Sequence, residues 1–282
     1  MRKGLIFAGA AAFASAFASG LAAQPAGAPD FTTSSGAGWV ASGFGFGTDF
    51  VAAPSGPKPV TNDPAYPYVT NADAARSGKQ PTFRVADLTN PILQPWAKEQ
   101  MKKANDDVLA GKVAFTADAR CYPGGVPSFL LFPANPVRFI QTPKEVLMFW
   151  QQNAEIRHVY LDVPHSANPK PSWYGESVGH YDGDTLVVDT IGQNEKTYID
   201  NYRTPNTAQL HVIERFRLIN DGKTIEVNVH VEDPGAFTTP WDAIQRYRRT
   251  DNPWEEMVCA ENNAEYFGYE LVPLPHANKP DF

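Results

Sequence analysis

Residues 210–233 read LHVIERFRLINDGKTIEVNVHVED, and the alternation within them decides the fold. Up to residue 218 every second side chain is apolar except Glu214, and the positions between are mostly polar, with His211 and two arginines. From residue 224 to residue 232, isoleucine and three valines alternate with polar side chains. Successive side chains of a strand point to opposite faces of its sheet, and Asp221-Gly222 is typical of a tight hairpin turn. The stretch predicts two antiparallel strands that each bury one face.

Six more candidate strands lie before and after this hairpin. The eight predicted strands are residues 137–141, 146–151, 156–162, 173–181, 185–191, 210–219, 224–233 and 241–249. Turn signals such as Asp182-Gly183 separate them, and no helical pattern lies between them. A meander of this kind closes on itself most economically, because closure removes exposed edges and leaves an interior able to hold a small ligand. We predict an all-β, mainly antiparallel, eight-stranded lipocalin-like barrel; the alternative is a two-sheet sandwich.

The other segments flank this barrel. Residues 1–23 carry two basic residues after Met1 and continue as an Ala-rich apolar run that ends in small residues, which is typical of a secretory signal peptide; the alternative is a membrane anchor. Residues 24–90, rich in Gly, Pro, Ser and Ala, are predicted to form an irregular arm. A helix is predicted next, from a first-turn proline at Pro91 or Pro95 to a stop at Gly111, with apolar positions 96, 101, 104 and 108 at helical spacing. We predict one barrel domain with its N-terminal helix over residues 91–270 and a tail over residues 271–282.

Charge and composition narrow the classes of function. The chain has 24 Lys+Arg against 31 Asp+Glu, a net charge of −7, and removal of the signal with Arg2 and Lys3 leaves 22 against 31, or −9. Nucleic-acid binders need a basic surface that displaces counterions from phosphates, so we expect no nucleic-acid partner. The sequence has no other long apolar segment, so no membrane span is expected after removal of the signal. The mature protein is predicted to be periplasmic or secreted.

Two cysteines, Cys121 and Cys259, lie on either side of the predicted strands. In the oxidising compartment that the signal predicts, an isolated pair usually forms a disulfide. The bond would close a very long loop, for which the chain-entropy model gives roughly 4–5 kcal/mol of stabilisation. We expect a disulfide that ties the two ends of the barrel, and the alternative is a reactive thiol.

Three residues are candidates for acid–base chemistry. Glu214 is an acid on an otherwise apolar strand face, where burial would favour its protonated form and suit it to proton transfer. The alternative for Glu214 is a structural pairing with an interior arginine. Asp189 interrupts the face of Val187 and Ile191, and the returning strand would bring it near His211 as an acid–imidazole pair. The alternative for Asp189 is a cap at a strand end or turn.

Other residues are candidates for a ligand pocket. The predicted substrate-binding residues are Tyr160, Asp162, His165, Trp173, Ser177, Tyr181 and Trp241. His165 lies in a proline-flanked loop that could overhang the barrel mouth; solvent exposure of this histidine and core packing of the aromatic residues are the alternatives. The sequence has no P-loop, G-x-S-x-G elbow or H-E-x-x-H motif, and its six histidines show no tight metal spacing. We therefore expect no cofactor and no metal; the alternative is a metal site assembled from residues of different strands.

Several motifs together resemble a known group of proteins. They are residues 120–127 (RCYPGGVP), 156–162 (IRHVYLD), 171–179 (PSWYGESVG), 183–190 (GDTLVVDT), 210–215 (LHVIER), 232–237 (EDPGAF) and 259–263 (CAENN). The chain is similar over residues 88–263 to a widespread, heavily duplicated family of exported proteins of environmental Gram-negative bacteria. The resemblance implies the fold and an exported location more than a reaction, and the arm before residue 88 does not match the pattern.

Three functional hypotheses stay open at this point. The first, which we favour, is a cofactor-independent lyase, isomerase or hydrolase that acts on a small hydrophobic or aromatic compound, with Glu214 as the proton-transfer group and Asp189 and His211 assisting. It predicts that Glu214→Gln abolishes turnover and leaves the fold intact. The second is a non-catalytic carrier of such a compound, and the third is an envelope interaction protein that uses the Gly/Pro-rich arm.

Overall fold

The computed structural model describes residues 25–32, 38–42, 49–67, 69, 84–110, 121–131 and 135–258. The predicted signal peptide, Gly111, Cys259 and the predicted tail lie outside these residues. The strands are β1 (Gly38–Ala41), β2 (Val51–Ala52), β3 (Val137–Gln141), β4 (Glu145–Trp150), β5 (Glu155–Leu161), β6 (Glu176–Asp182), β7 (Thr185–Ile191), β8 (His211–Ile219), β9 (Thr224–Glu232) and β10 (Trp241–Thr250), and the helix is α1 (Pro95–Leu109).

Nine strands form a closed, mixed β-barrel, which confirms the all-β barrel and adds one strand to the predicted eight. Around the barrel the order is β1, then β3 to β10 in sequence, and β10 pairs with β1 to close it. The short β2 pairs with residues 243 and 244 of β10, where the edge of β10 extends beyond β1. The eight predicted strands correspond to β3–β10, because period-2 alternation marks them and turn signals separate most of them.

The ninth strand comes from the segment that was predicted to be an irregular arm, and for β1 and β2 that prediction was wrong. β1 lies between β3 and β10: Trp39 opposes Val137 on one side, and Gly38 opposes Thr250 on the other. The Trp39 indole is fully buried and donates a hydrogen bond to the carbonyl of Phe31 at 2.8 Å. Without β1 the edges of β3 and β10 would be open, so the arm completes the barrel.

One neighbouring pair interrupts the predicted antiparallel meander. β5 and β6 run parallel, with Val159 opposite Ser177, so residues 162–175 must return outside the barrel to the end where β5 began. We call residues 162–175 the crossover loop. β6 starts at Glu176 rather than at the predicted residue 173, because Gly175 has a φ of 64° and any Cβ there would clash with the carbonyl of Ile191.

The barrel interior is filled by the inward positions of the strands. The alternation predicted for β8 and β9 is confirmed: Val212, Phe216, Val227 and Val231 are buried. Large side chains from β1, β4 and the arm join them, among them Trp39, Trp150 and Phe31. Each buried side chain of this kind contributes roughly 1.5–3 kcal/mol, so the interior is the main source of stability.

Helix α1 packs at the barrel end that carries the longer loops. It begins at Pro95, as predicted, and the backbone N–H of Gln94 just before it donates to the carbonyl of Ala236 at 2.9 Å. Its buried face is Ala97, Met101, Asn105 and Val108. The predicted face was wrong at two positions. Trp96 is 38% exposed, and the buried position is Asn105 rather than its neighbour Ala104. The Asn105 side chain bonds both backbone groups of Ala86 at 2.9 Å. Among the described residues no helix has the length and apolar character of a membrane span.

Candidate functional site

Glu214 lies inside the barrel, where the alternation of β8 places it. Its carboxylate is fully buried, and so is the side chain of Arg157 on β5. Both terminal nitrogens of Arg157 donate hydrogen bonds to this carboxylate: Nη1 lies 3.0 Å from Oε1, and Nη2 bonds Oε2. Nη2 also donates to Thr190 Oγ1 at 2.9 Å and Nε donates to Ser177 Oγ at 3.3 Å. Both oxygens of Glu214 are therefore engaged by an interior arginine. This geometry favours the structural alternative for Glu214 over the proton-transfer role.

The surroundings of this pair are apolar and aromatic. The Arg157 guanidinium lies 5.8 Å from the centre of the Phe129 ring. Tyr247 donates its hydroxyl to the carbonyl of Leu130 at 2.5 Å, and burial, followed by the nearby Glu214 charge, raises the Tyr247 pKa well above its ordinary value. Ionised groups in such a site are stabilised by each other and by the hydrogen bonds of Ser177 and Thr190.

A second polar cluster crosses the outside of the barrel near the end covered by α1. We call it the acid–imidazole row; in spatial order it contains Glu176, His165, Asp189, His211, Glu232, His230 and Asp242. His165 belongs to the crossover loop, and the others lie on five consecutive strands, β6 to β10. Carboxylates and imidazoles alternate along its whole length.

The first half of the row contains the acid–imidazole pair that the sequence suggested. Asp189 Oδ1 lies 3.0 Å from His211 Nε2 and also 3.0 Å from His165 Nε2. His165 Nδ1 lies 3.1 Å from Glu176 Oε1. Asp189 opposes Ile213 in the β7–β8 ladder, so His211 is the next outward-facing neighbour on β8. The structure thus brings together Asp189 of β7, His211 of β8 and the crossover-loop residue His165.

The second half of the row follows the β8–β9–β10 register. His211 opposes Glu232, with Nδ1 3.3 Å from Oε2, and His230 opposes Asp242, with Nδ1 2.8 Å from Oδ1. His230 Nε2 and Glu232 Oε1, two positions apart on β9, are 3.0 Å apart. Within the described part of the chain, no three or more His, Cys, Asp or Glu side chains are arranged to hold a metal ion. The members of the row lie one after another across the strands and do not surround a common point.

The contacts of the row change the proton affinity of its members. Hydrogen bonds from the hydroxyl and backbone N–H of Ser166 hold the Glu176 pKa below its ordinary value. Hydrogen bonds with His230 and His211 lower the Glu232 pKa in the same way. Burial alone would lower the pKa of His230, but its bonds to Glu232 and Asp242 outweigh burial and raise that pKa. The contacts therefore favour ionised carboxylates beside a protonated imidazole.

A groove of about 640 Å³ lies between the outer face of β5 and the crossover loop. It is lined by Pro123, Ile156, His158, Tyr160, Ser166, Asn168, Lys170, Ser172, Trp173, Tyr174, Gly175, Glu176 and Ser177. Trp173 stacks on Tyr122 with ring centres 5.0 Å apart, and His158 stacks on Tyr160 at 6.0 Å. Aromatic walls with a few polar groups are typical of sites for small molecules. Two lining residues, Ser166 and Glu176, also belong to or contact the row.

The predicted substrate-binding residues divide into two groups. Tyr160, Trp173 and Ser177 line the groove, and His165 lies in the adjoining row. Asp162, exposed at the end of β5, is not among the lining residues. Tyr181 accepts a hydrogen bond from Gln141 at 2.8 Å, and Trp241 is buried between Phe50 and Phe237. The structure therefore does not bring Asp162, Tyr181 or Trp241 to the groove. The groove is formed by outward positions of β5, whereas Trp241 points inward.

Several residues of these sites were not predicted from the sequence. Arg157, Val159 and Leu161 occupy every second position of β5, so the alternation of this strand places Arg157 on the same inward face as the two apolar residues. The tight turn at residues 220–223 sets the β8–β9 register, from which the pairing of His211 with Glu232 follows. No sequence pattern predicted the contacts of Glu176 and Asp242. The partner of Glu176, His165, lies in a loop, and the partner of Asp242, His230, is reached through a different hairpin, β9–β10.

The structure does not test the predicted disulfide, because it describes Cys121 but not Cys259. It stays a prediction. No protein-family model matches the chain, and no curated protein matches it either.

Proposed function

We propose that the protein is an exported, cofactor-independent enzyme that binds a small aromatic or hydrophobic compound in the groove and transfers a proton on it. The observation that carries the proposal is the position of Glu176, which lines the groove and is the end member of the acid–imidazole row. A compound stacked against Tyr160 or Trp173 would lie beside a carboxylate that is hydrogen-bonded to an imidazole. Many lyases, isomerases and hydrolases use such a group for proton transfer.

The chemistry assigned to Glu176 depends on the residues behind it. Its lowered pKa keeps the carboxylate ionised at neutral pH, so it can accept a proton from an acidic position of the bound compound. His165 Nδ1 contacts the Glu176 carboxylate, and Nε2 contacts Asp189, which fixes the orientation of the imidazole ring. Asp189 and His211 then act as positioning residues. Glu214 has a structural role in this proposal, as the partner of Arg157.

The proposal includes export and membership of the exported Gram-negative family. The apolar N-terminal run and its small-residue end support export, and the quoted motifs support membership. N-terminal sequencing of the protein from a periplasmic fraction tests export, and the expected first residue is Ala23 or Gln24. An intact Met1 on the periplasmic protein would contradict cleavage.

The experiment on function starts from the exported protein and asks which small molecules co-purify with it by mass spectrometry. We expect an aromatic or terpenoid compound, which is then offered back to the purified protein. Glu176→Gln should retain the compound and lose turnover by roughly 10²–10⁴-fold, the usual contribution of a general acid–base group. His180→Gln is the matched control, because His180 is an exposed β6 histidine outside the groove lining and the row. Full turnover in Glu176→Gln would remove Glu176 from the mechanism.

A non-catalytic carrier is the second candidate, and one observation favours it. Glu176 already accepts two hydrogen bonds from Ser166, and this lowers its pKa, which weakens it as a base and suits it to anchoring a polar group. A carrier would bind the compound saturably and form no product. In that case Glu176→Gln changes the Kd, and no variant changes a reaction rate.

A further inference from the structure

Each imidazole of the acid–imidazole row lies between two carboxylates. His165 contacts Glu176 and Asp189, and His211 contacts Asp189 and Glu232. His230 contacts Glu232 and Asp242. A neutral imidazole has one N–H and one lone pair, so it can donate to only one carboxylate and would turn its lone pair toward the other. Both contacts of each ring are hydrogen bonds only when the ring is protonated.

The row also attaches the crossover loop to the barrel. His165 bonds Glu176 and Asp189, and Ser166 bonds Glu176 through its backbone N–H at 2.7 Å and through its hydroxyl. Further along, Ser172 exchanges backbone hydrogen bonds with residues 192 and 194. Among the described residues, the hydrogen bonds that hold residues 163–171 to the barrel come from His165 and Ser166. The first part of the loop therefore depends on the row.

We propose that the acid–imidazole row is a pH-dependent clamp, which holds the crossover loop tightly against the barrel while its imidazoles are protonated and weakens that attachment when they lose their protons, leaving the bonds from Ser166 to Glu176. The groups that face each ring come from every strand that carries the row: Glu176 on β6, Asp189 on β7, Glu232 on β9 and Asp242 on β10. All of them are carboxylates, so each imidazolium is attracted from both sides. Loss of the proton converts attraction into repulsion at one of its two nitrogens.

The direction of the pH effect follows from the shifted groups. Glu176 and Glu232 have a lowered pKa, so their contribution to stability is present above the ordinary value of 4.5 and is lost as pH falls through the lowered value. His230 has a raised pKa, so its contribution is present below the ordinary value of 6.5 and is lost as pH rises through the raised value. These shifted groups make the row strongest in mildly acidic solution and weaker as the solution becomes alkaline. The loop follows the same direction because His165 can donate to both Glu176 and Asp189 only as an imidazolium.

The clamp has a consequence for the groove, and this part rests on the proposed function. The crossover loop supplies Asn168, Lys170, Ser172 and Trp173 to the groove lining. Loosening of the loop would therefore loosen one wall, and a bound compound would be held more tightly at acidic pH than at alkaline pH. The clamp itself requires no ligand, so it can be tested separately.

The test is hydrogen–deuterium exchange of the full mature protein, followed by mass spectrometry of peptides that cover residues 163–171. Measurements are made between about pH 5 and about pH 8, the range over which imidazoles titrate, and are corrected for intrinsic exchange. We expect protection of the loop, including the Ser166 N–H that bonds Glu176, to fall by about tenfold across this range, because His165 loses one of the two charge-assisted hydrogen bonds that hold its neighbour in place. The hairpin turn at residues 220–223 serves as an internal reference whose protection stays constant.

Two variants decide whether the row causes the effect. In His165→Gln, protection of residues 163–171 should be low at every pH, whereas His180→Gln should reproduce the wild-type profile. Asp189→Asn keeps an oxygen that can accept both hydrogen bonds but removes the charge, so it should shift and weaken the transition even if His165→Gln folds poorly. A flat wild-type profile, or the same pH response in wild type and Asp189→Asn, would overturn the clamp. Neither outcome depends on finding a ligand.

Discussion

The interior pair and the outer row use the same chemistry in opposite environments. Arg157 and Glu214 have no exposed side-chain surface, whereas side chains of the row are between 21% and 55% exposed. Arginine stays protonated under all physiological conditions, and histidine changes its charge between about pH 5 and 8. The interior pair is thus a permanent tie between β5 and β8, and the row is a tie that can be switched. Exposure and the choice of cation, rather than the carboxylate, make this difference.

The largest expected effect is the loss of one partner inside the barrel. Glu214→Gln leaves the Arg157 charge buried without a counter-ion, so we expect the free energy of unfolding to fall by about 3–5 kcal/mol. Chemical denaturation at neutral pH measures this loss. The double variant Arg157→Met with Glu214→Leu should recover most of the stability, because it removes both charges. If Glu214→Gln left stability unchanged and abolished turnover, the catalytic role predicted from the sequence would regain its support.

A second buried carboxylate, that of Asp200, sharpens the comparison. Asp200 accepts hydrogen bonds from the backbone of Tyr202 and from the backbone and hydroxyl of Thr204, yet burial raises its pKa from 3.8 to about 6. A raised carboxyl pKa means that stability is fully present below pH 3.8 and is lost as pH rises through about 6. We expect this group to cost about 3 kcal/mol at alkaline pH.

Asp200→Asn tests that expectation, since an amide cannot ionise. The variant should match the wild type near pH 4 and exceed its stability near pH 8, as measured by denaturation at both values. The Thr204→Val variant, which removes one hydrogen bond to Asp200, should instead lose stability at both pH values. Equal stability of Asp200→Asn and wild type at alkaline pH would contradict the raised pKa.

The outer row should respond more weakly. Asp189→Asn removes the charge that His165 and His211 share, and solvent screening limits the expected loss to about 1 kcal/mol. The loss should be visible at mildly acidic pH and disappear in alkaline solution, where the imidazoles are neutral. Thermal unfolding at the two pH values measures it. An equal loss at both would show that Asp189 acts through packing rather than charge.

The smallest expected effect is that of salt. At about 1 M salt the Debye length is only about 3 Å, so the stability difference between wild type and Asp189→Asn should shrink by a few tenths of a kcal/mol. The difference between wild type and Glu214→Gln should not change, because salt does not reach a fully buried pair. Denaturation with and without salt compares the two. Equal salt sensitivity would remove the distinction between interior and exterior ties.

The interior pair and the outer row also differ in how much of each could be predicted from the sequence. The alternation in residues 210–218 placed Glu214 inward and His211 outward, and both positions are found. The arginine that engages Glu214 lies on β5, 57 residues away in sequence. In the row, the Asp189–His211 contact was predictable from a returning strand, whereas the loop residue His165 beside Asp189 was not.

The third hypothesis, an envelope interaction protein that uses the arm, is affected by the same limit. Deletion of residues 24–85 is the direct test of this hypothesis, but these residues include β1 and β2. Because β1 closes the barrel between β3 and β10, the deletion would open the barrel as well as remove the arm. Lost partner binding after that deletion would no longer identify the arm as the interaction surface.

The sequence by itself determined the strands, their inward and outward positions, and the hairpin turns, because period-2 alternation and turn chemistry are local properties of the chain. Only the tertiary structure decided that Gly38–Ala41 closes the barrel, that β5 and β6 run parallel, and that Arg157 engages Glu214. A four-residue strand in a Gly-rich segment has no detectable period, and a parallel pair needs a crossover whose path depends on packing. The row likewise exists because five neighbouring strands and one loop meet at the same end of the barrel.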